Sequence, residues 1–232
     1  MGTGLVAHYG MNDNLASSDV ADSIGSNTGT AYGSTPQTTA DVSVAGVSAS
    51  TTPVSGHGAL SFNGTSDVIQ APSTITASVD FTISSWFKIA DISQFHTIIG
   101  NYQVSNVLDG TFFLWTRSGD NDKLQFYLYD SEYKDMQSDD ALITGNWYHA
   151  VIVRNAGTIS MYLNGMLQTQ TISSSFVIGN TGNSTYIGSS FDGDSLYAPM
   201  YGNIDDVRVY SRALSSADVA ALYNGGAGTE DQ

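Results

Sequence analysis

The segment 202–225 constrains the fold more than any other part of the chain, because it predicts a strand, a short turn and then a short helix. In residues 203–210, Val207 and Val209 alternate with Arg208 and Tyr210, which is the period-two pattern of a strand with one face on a core. The same alternation places Asp205 on the valine face, where a carboxylate is costly unless another group compensates it.

The helix is indicated by its capping residues. Ser215 precedes a first turn that carries Asp218 at the third position, which is the pattern of a capping box. Val219, Leu222 and Tyr223 then form an apolar stripe about two turns long. Gly225 is the expected stop signal. We therefore predict one short helix at the C-terminal end.

The rest of the chain is typical of short strands with turn residues between them. A first strand is predicted over 5–11, and a Ser/Thr/Gly-rich excursion over one sheet is predicted for 12–56. Further strands are predicted at 95–102, 111–117, 123–130, 147–154, 158–163, 168–172 and 185–188. Such regular spacing favours an antiparallel sandwich. There is no internal repeat and no linker, so residues 1–232 are predicted to form a single domain.

Five segments in order resemble laminin-G-like domains of the concanavalin A-like jelly-roll superfamily. They are 58–67, 81–88, 146–151, 159–165 and 202–225. The resemblance implies an all-β fold: an antiparallel two-sheet β-sandwich, or jelly roll, with one short C-terminal helix. It does not imply one function, because this superfamily contains lectins, adhesion modules and glycan-cleaving enzymes.

Composition excludes several classes of partner. The chain has 7 Lys and Arg against 22 Asp and Glu, a net charge of −15, which repels nucleic acid and anionic membranes. No run of 18 apolar residues is present, so no membrane insertion is expected. Without cysteine there is no thiol nucleophile, disulfide or thiolate metal site. The sequence shows no signal peptide, and an extracellular, cell-surface or virion-surface location is predicted nonetheless.

Catalytic patterns are missing from the sequence. The jelly-roll glucanases that this chain resembles use paired glutamates in an E-x-D-x-x-E or E-x-D-x-E strand, whereas Glu132 is isolated and Glu230 lies in the C-terminal tail. The cations are too few for a polyuronate-lyase cleft. Neither G-x-S-x-G nor H-E-x-x-H occurs, and His57 and His149 lie inside fold motifs. We predict that the protein is not an enzyme.

The resemblance also implies a calcium site. In related laminarinases and lichenases the strand V-D-Y-V-R-V-Y supplies a calcium-binding Asp, and residues 204–210 place Asp205 at that position. Oxygen ligands from distant segments suit Ca²⁺, which takes six to eight of them. The alternative is that Asp205 accepts backbone N–H bonds. By analogy, the further ligands would be Asn12 or Asp13, Asn63 or Gly64, and Asp22.

Aromatic side chains predict a glycan-binding platform. Alternation puts Trp115 opposite Leu114 in its strand, and Tyr127 and Tyr129 opposite the apolar residues of the next strand. Sugar C–H groups pack on aromatic rings, while Asp, Asn and Gln bind hydroxyls. The predicted glycan-binding residues are Trp86, Trp115, Tyr127, Tyr129 and Asp130, with Gln125 near them. The alternative is that these are ordinary strand residues, or are covered by the 12–56 excursion.

These observations predict a non-catalytic, calcium-stabilised carbohydrate-binding or adhesion module of an extracellular or virion-surface protein. Its partner would be a polysaccharide or glycoconjugate, together with neighbouring domains of a larger surface protein. Two other hypotheses stay open at this point: a protein-interaction or structural module without glycan affinity, and a glycan-active hydrolase or lyase.

Overall fold

A computed structural model describes residues 3–13, 17–33, 58–72, 79–103, 106–117, 119, 122–175, 177, 182–192 and 195–229. In chain order the elements are β1 (Leu5–Tyr9), β2 (Asp19–Val20), β3 (Gly29–Tyr32), β4 (Leu60–Asn63), β5 (Val68–Ala71), β6 (Phe81–Ile89), β7 (His96–Gly100), β8 (Phe112–Arg117), β9 (Lys123–Asp130), β10 (Glu132–Gln137), β11 (Trp147–Asn155), β12 (Thr158–Leu163), β13 (Met166–Ser173), β14 (Thr185–Ile187), β15 (Ser190–Asp192), β16 (Ser195–Tyr197), β17 (Tyr201–Tyr210), helix α1 (Ser216–Tyr223) and a 3₁₀ turn (Asn224–Gly226).

Two antiparallel sheets form a sandwich. The seven-stranded sheet runs β1-β17-β6-β11-β12-β13, with β4 also paired to β17. The eight-stranded sheet runs β10-β9-β8-β7-β14-β5-β3-β2, and β15 and β16 form a separate hairpin. The predicted all-β, two-sheet architecture with a short C-terminal helix is confirmed.

Alternation along the strands decides which side chains fill the space between the sheets. On β6 the core residues include Ile83 and Phe87, and on β8 and β9 they include Phe112, Leu114 and Phe126, all at most 1% exposed. These residues recur at every second position, so the intervening residues lie on the outer faces of the sheets. The outer faces are therefore where a ligand could meet the sandwich.

Helix α1 covers part of the outer face of the seven-stranded sheet. Its N-terminus has the predicted capping box: the Asp218 N–H donates to Ser215 Oγ at 3.1 Å, and the Ser215 N–H donates to Asp218 Oδ2 at 3.0 Å. Val219 and Leu222 are buried against an apolar cluster that includes Val151 of β11. This face of the sheet is consequently closed where the helix lies.

The predicted orientation of Asp205 is wrong, because β17 contains a bulge. Asp206 has a φ of 48°, and the register between β17 and β6 shifts between Asp205 and Arg208. Ile204 and Val207 both lie in the core, and Asp205 stands opposite Trp86 on the outer face. The alternation fails here because the bulge adds a residue to one strand, so Asp205 does not share the face of Val207.

The segment predicted as an irregular excursion contains two strands, β2 and β3, at one edge of the eight-stranded sheet. Residues 34–57, which hold the rest of that prediction and His57, lie outside the described residues. Within the described part of the chain, no helix has the length and apolar character needed to cross a bilayer.

Candidate functional site

The outer face of the eight-stranded sheet carries a continuous set of aromatic rings, here called the aromatic surface. Neighbouring ring centroids are 4.5 to 6.4 Å apart, within the range at which aromatic rings interact. The surface consists of Phe95, Tyr102, Phe113, Trp115, Tyr127, Tyr129, Tyr133 and Tyr197. The structure therefore brings together the predicted Trp115, Tyr127 and Tyr129.

Strand register explains how these rings meet. Phe113 of β8 stands opposite Tyr127 of β9, and Tyr129 of β9 stands opposite Tyr133 of β10. Residues directly opposite one another in an antiparallel pair point to the same face. Because the inward positions of β8 and β9 are filled by the core, these rings are all directed away from it.

Exposure differs strongly within the aromatic surface. Phe113 and Trp115 are only 2% and 8% exposed, whereas Tyr133 is 59% and Phe95 is 37% exposed. Trp115 is covered by Phe113, whose ring stacks on it at 4.5 Å, and by Phe95 at 5.1 Å. Trp115 thus forms the base of the surface, and the rings that a ligand can reach are mainly the tyrosines and Phe95.

Asp130 does not lie on the aromatic surface. Its position continues the inward-facing alternation of β9, and it is 7% exposed. Its carboxylate accepts hydrogen bonds from Lys134 Nζ at 3.0 Å and from Ser174 Oγ at 2.8 Å. Burial alone would raise the pKa of Asp130, but these hydrogen bonds and the charge of Lys134 lower it. The exposed carboxylate beside the rings is that of Asp135, which stands opposite Tyr127.

Trp86 is separated from the aromatic surface by the whole thickness of the sandwich. Its strand belongs to the seven-stranded sheet, and its ring is 2% exposed beneath the C-terminal helix. Tyr223 stacks on it at 5.7 Å, and the His149 ring lies 4.8 Å away. With both neighbours in place, Trp86 offers no open ring face to a glycan.

Five of the eight residues of the aromatic surface are not among the predicted glycan-binding residues: Phe95, Tyr102, Phe113, Tyr133 and Tyr197. Tyr133 could have been found, because the β9 alternation continues in β10 after a turn in which Ser131 has a φ of 57°. Phe95 and Tyr102 lie just outside β7, and Tyr197 ends the short strand β16. These segments are too short to show a clear alternation of apolar and polar residues. Only the tertiary fold places them beside β8.

The predicted calcium ligands do not converge. Asn63 closes the β4–β5 turn, where its Oδ1 accepts from the Thr65 N–H at 2.8 Å. Asp13 accepts from the Ala21 N–H at 2.9 Å. Asp22 accepts from the His8 N–H at 2.9 Å and from the Asn27 N–H at 3.2 Å. Asn63 thus belongs to the β4–β5 turn, whereas Asp13 and Asp22 lie in the segments before and after β2.

Asp205 is fully buried on the outer face of the seven-stranded sheet, opposite Trp86. Within the described ranges, no group of three or more His, Asp or Glu side chains is arranged to hold a metal ion. The residues expected for calcium thus do not fit one site, and we derive no role for calcium from Asp205.

A buried ionic network lies beside Asp205 instead. Asp206 Oδ1 is 2.8 Å from His8 Nε2 and accepts from Arg208 Nε at 2.7 Å. Burial would raise the pKa of Asp206, but the hydrogen bond from His8 and the Arg208 charge outweigh it and lower that pKa. The network is structural, because the C-terminal segment covers it.

The comparisons with known proteins agree with this fold. A laminin G-like family model, described as concanavalin A-like lectin/glucanases superfamily, matches residues 63–220. No curated protein matches the chain. Among solved structures, domain 4 of AbnA, a GH43 extracellular arabinanase from Geobacillus stearothermophilus, in complex with arabinotriose, is similar: its TM-score is 0.68 at 21% identity, covering 94% of this chain and 98% of that domain.

Two other similar structures come from larger or different binding proteins. The receptor-binding domain of botulinum neurotoxin D has a TM-score of 0.66 at 17% identity, covering 96% of this chain and 52% of that one. The CBM40 of Ruminococcus gnavus IT-sialidase bound to α2,3-sialyllactose has a TM-score of 0.59 at 15% identity, covering 71% of this chain and 96% of that one. At these identities the likeness establishes the fold alone.

Proposed function

Because the chain belongs to the concanavalin A-like lectin/glucanases superfamily, we propose that it is a non-catalytic carbohydrate-binding module with its ligand on the aromatic surface. The observation that carries this proposal is the run of exposed and half-buried rings from Phe95 to Tyr133 on one sheet face. Sugar rings present C–H groups that pack on aromatic faces, so such a surface suits a polysaccharide or glycoconjugate.

The sheet holds the aromatic surface rigidly. Phe113 and Trp115 at its base are buried, and their strand is paired on both sides by β7 and β9. Rings held on a rigid sheet lose little conformational freedom when a ligand binds, which favours affinity. A contiguous exposed aromatic patch on a monomer is also a common mark of a binding site.

Polar groups beside the rings supply partners for sugar hydroxyls. Burial raises the pKa of Tyr127, and the neighbouring Tyr133 and Tyr102 raise it further, so its phenol stays an uncharged donor at neutral pH. Asp135 offers exposed carboxylate oxygens opposite Tyr127. Together these groups can orient a sugar that the rings hold by stacking.

The non-catalytic part of the proposal rests on the acidic residues. Glycoside hydrolysis requires two carboxyl groups on either side of the scissile bond. Glu132 is 75% exposed and lies 3.8 Å from Lys134, and Asp130 is turned to the interior and bonded to the same lysine. Neither environment is that of a protonated general acid facing the aromatic surface.

We extend the proposal to an adhesion or carbohydrate-binding role at the cell surface, outside the cell or on a virion. The net charge of −15 supports a partner that is neither nucleic acid nor anionic lipid. Tyr-rich surfaces also occur in protein–protein interfaces, so a protein-interaction module without glycan affinity is the alternative that the experiment must distinguish.

A glycan array followed by titration calorimetry tests the proposal. Tyr133→Ala and Tyr127→Ala should each weaken binding by about tenfold, as expected for an aromatic anchor. The matched control is Met166→Ala, since Met166 is 70% exposed at the start of β13 in the other sheet. Absence of any glycan ligand, or equal effects of all variants, would favour the protein-interaction alternative.

A further inference from the structure

A cleft opens at the Phe95 end of the aromatic surface. It is lined by Ser93, Gln94, Phe95, Ala198 and Pro199 and has a volume of about 360 Å³. That volume lies within the range of about 300–1,000 Å³ that is usual for small-molecule sites. Its lining combines an aromatic ring and a proline ring with the polar side chains of Ser93 and Gln94.

The cleft is continuous with the aromatic surface through both of its walls. Phe95 belongs to the cleft, and its ring lies 5.1 Å from that of Trp115. On the other wall, Ala198 directly follows Tyr197, whose ring lies 6.0 Å from Tyr102 and 6.4 Å from Phe113. A chain of sugars lying on the rings can therefore continue into the cleft.

His96 ties the two walls together. Its Nε2 donates to the carbonyl oxygen of Asp91, and its Nδ1 accepts from the Tyr201 N–H at 3.3 Å. The Thr97 N–H donates to the Ala198 carbonyl at 2.8 Å. These contacts hold the loop before β7 against the loop before β17, so the cleft is formed before a ligand arrives.

Ala198 adopts a backbone conformation that side chains disfavour. Its φ is 51°, in the left-handed region, where a non-glycine residue is strained. Such strain persists only where surrounding contacts impose it, and it often accompanies ligand sites. Here the strained residue forms part of the wall of the cleft itself.

Two acidic residues, Asp91 and Asp135, lie near the cleft and the rings. The Asp91 carboxylate accepts from the Ser93 N–H at 2.9 Å and from Ser93 Oγ at 2.8 Å, and these bonds lower its pKa. Asp91 is therefore ionised at neutral pH, and the exposed Asp135 carboxyl group lies at the other end of the surface. Uronate or sulfate groups of a ligand would be repelled by both.

We propose that this cleft is an end subsite that takes one sugar unit of a neutral oligosaccharide whose other units lie on the aromatic surface. Phe95 stacks on that unit, Pro199 closes the opposite side, and the exposed Gln94 amide bonds its hydroxyls. This inference rests on the proposed function, and it adds both a second contact region and the chemical class of the ligand.

Calorimetry with arabino-, xylo-, cello- and malto-oligosaccharides of one to six units, and with oligogalacturonides of the same lengths, tests the subsite. For the neutral series that binds, Phe95→Ala and Gln94→Ala should weaken the longest oligosaccharide by about tenfold. Gln94→Ala, which removes no ring of the aromatic surface, should leave a disaccharide that the tyrosine rings alone can hold nearly unchanged. Met166→Ala is the control, and oligogalacturonides should bind at least tenfold more weakly at low salt.

The outcomes separate the two proposals. If neutral oligosaccharides bind and Tyr133→Ala weakens them, but Phe95→Ala and Gln94→Ala behave as wild type at every length, the end subsite is overturned and the proposed function stands. Oligogalacturonides that bind as tightly as neutral chains overturn the inferred ligand class. If no sugar of either class binds, the proposed function fails and the subsite fails with it.

Discussion

Nε2 of His8 lies 2.8 Å from Oδ1 of Asp206, although the two residues are 198 positions apart in the chain. Arg208 Nε donates to the same oxygen at 2.7 Å, and Arg208 Nη2 donates to the Thr229 carbonyl at 2.6 Å. The first strand, the last strand and the C-terminal segment are thus joined at one buried carboxylate. Stability should depend on that carboxylate more than on any surface ion pair.

Asp206→Asn should destabilise the fold by about 3–5 kcal/mol, because it leaves the buried Arg208 charge without its partner. Asparagine tolerates the left-handed backbone at this position, so the substitution changes charge and little else. Urea unfolding measures the effect. Glu132→Gln is the control and should cost no more than about 0.5 kcal/mol, since its ion pair is exposed. Similar losses in the two variants would contradict this account.

Stability should fall as the pH is lowered from about 6.5 to about 4, because of His149. Burial is the main reason why the pKa of His149 is lowered to about 4. The Arg208 charge also lowers this pKa, and the Asp206 charge raises it. Between the two values the unfolded chain binds a proton that the folded protein does not, so protonation favours unfolding. The loss is on the order of 3 kcal/mol and is complete below the folded pKa.

His149→Gln should flatten this part of the pH profile, since glutamine does not titrate. Urea unfolding of both proteins at pH 7.5, 6 and 4.5 provides the comparison. An equally steep decline in the variant would assign the pH dependence to another group.

Trp115→Ala and Tyr133→Ala should separate stability from binding. Trp115 is 8% exposed and stacked on Phe113, so its truncation should cost about 3–5 kcal/mol of folding free energy. Tyr133 is 59% exposed, and its truncation should cost less than about 1 kcal/mol while weakening glycan binding. Thermal unfolding and calorimetry measure the two effects. A fully stable Trp115→Ala protein would show that the ring is not the base of the surface.

Removal of calcium tests the ion that the family resemblance predicts. Since Asp13, Asn63 and Asp22 each accept hydrogen bonds from backbone N–H groups, we expect EDTA to leave the midpoint of thermal unfolding unchanged. A ligand bound only by the folded state would raise that midpoint. If EDTA lowers the midpoint of the wild-type protein but not that of the Asp205→Asn variant, the result would support the predicted calcium site at Asp205.

Incubation with neutral polysaccharides should release no reducing ends. The reason is the placement of the acidic residues, with Asp130 turned inward and Glu132 paired with Lys134. A reducing-sugar assay over several days is sufficient. Turnover that a single Asp→Asn substitution removes would make the protein an enzyme and replace the proposed function.

Local sequence determined the faces of individual strands. Strict alternation on β8 and β9 was enough to direct Trp115, Tyr127 and Tyr129 away from the core, and the capping residues were enough to place α1. Both signals work because each depends only on neighbours within a few residues. A single bulge interrupts the alternation of β17, so the sequence pattern predicts the wrong face for Asp205.

Only the tertiary structure decided which outward residues are open to a ligand. Trp86 points outward as its alternation predicts, but Tyr223 of the distant helix covers it. Trp115 also points outward and is covered by Phe95, while Tyr133, Tyr102 and Tyr197 arrive from other segments to complete the surface. Alternation specifies a direction within one strand, whereas exposure depends on what distant segments place above that strand, and the local pattern does not contain this information.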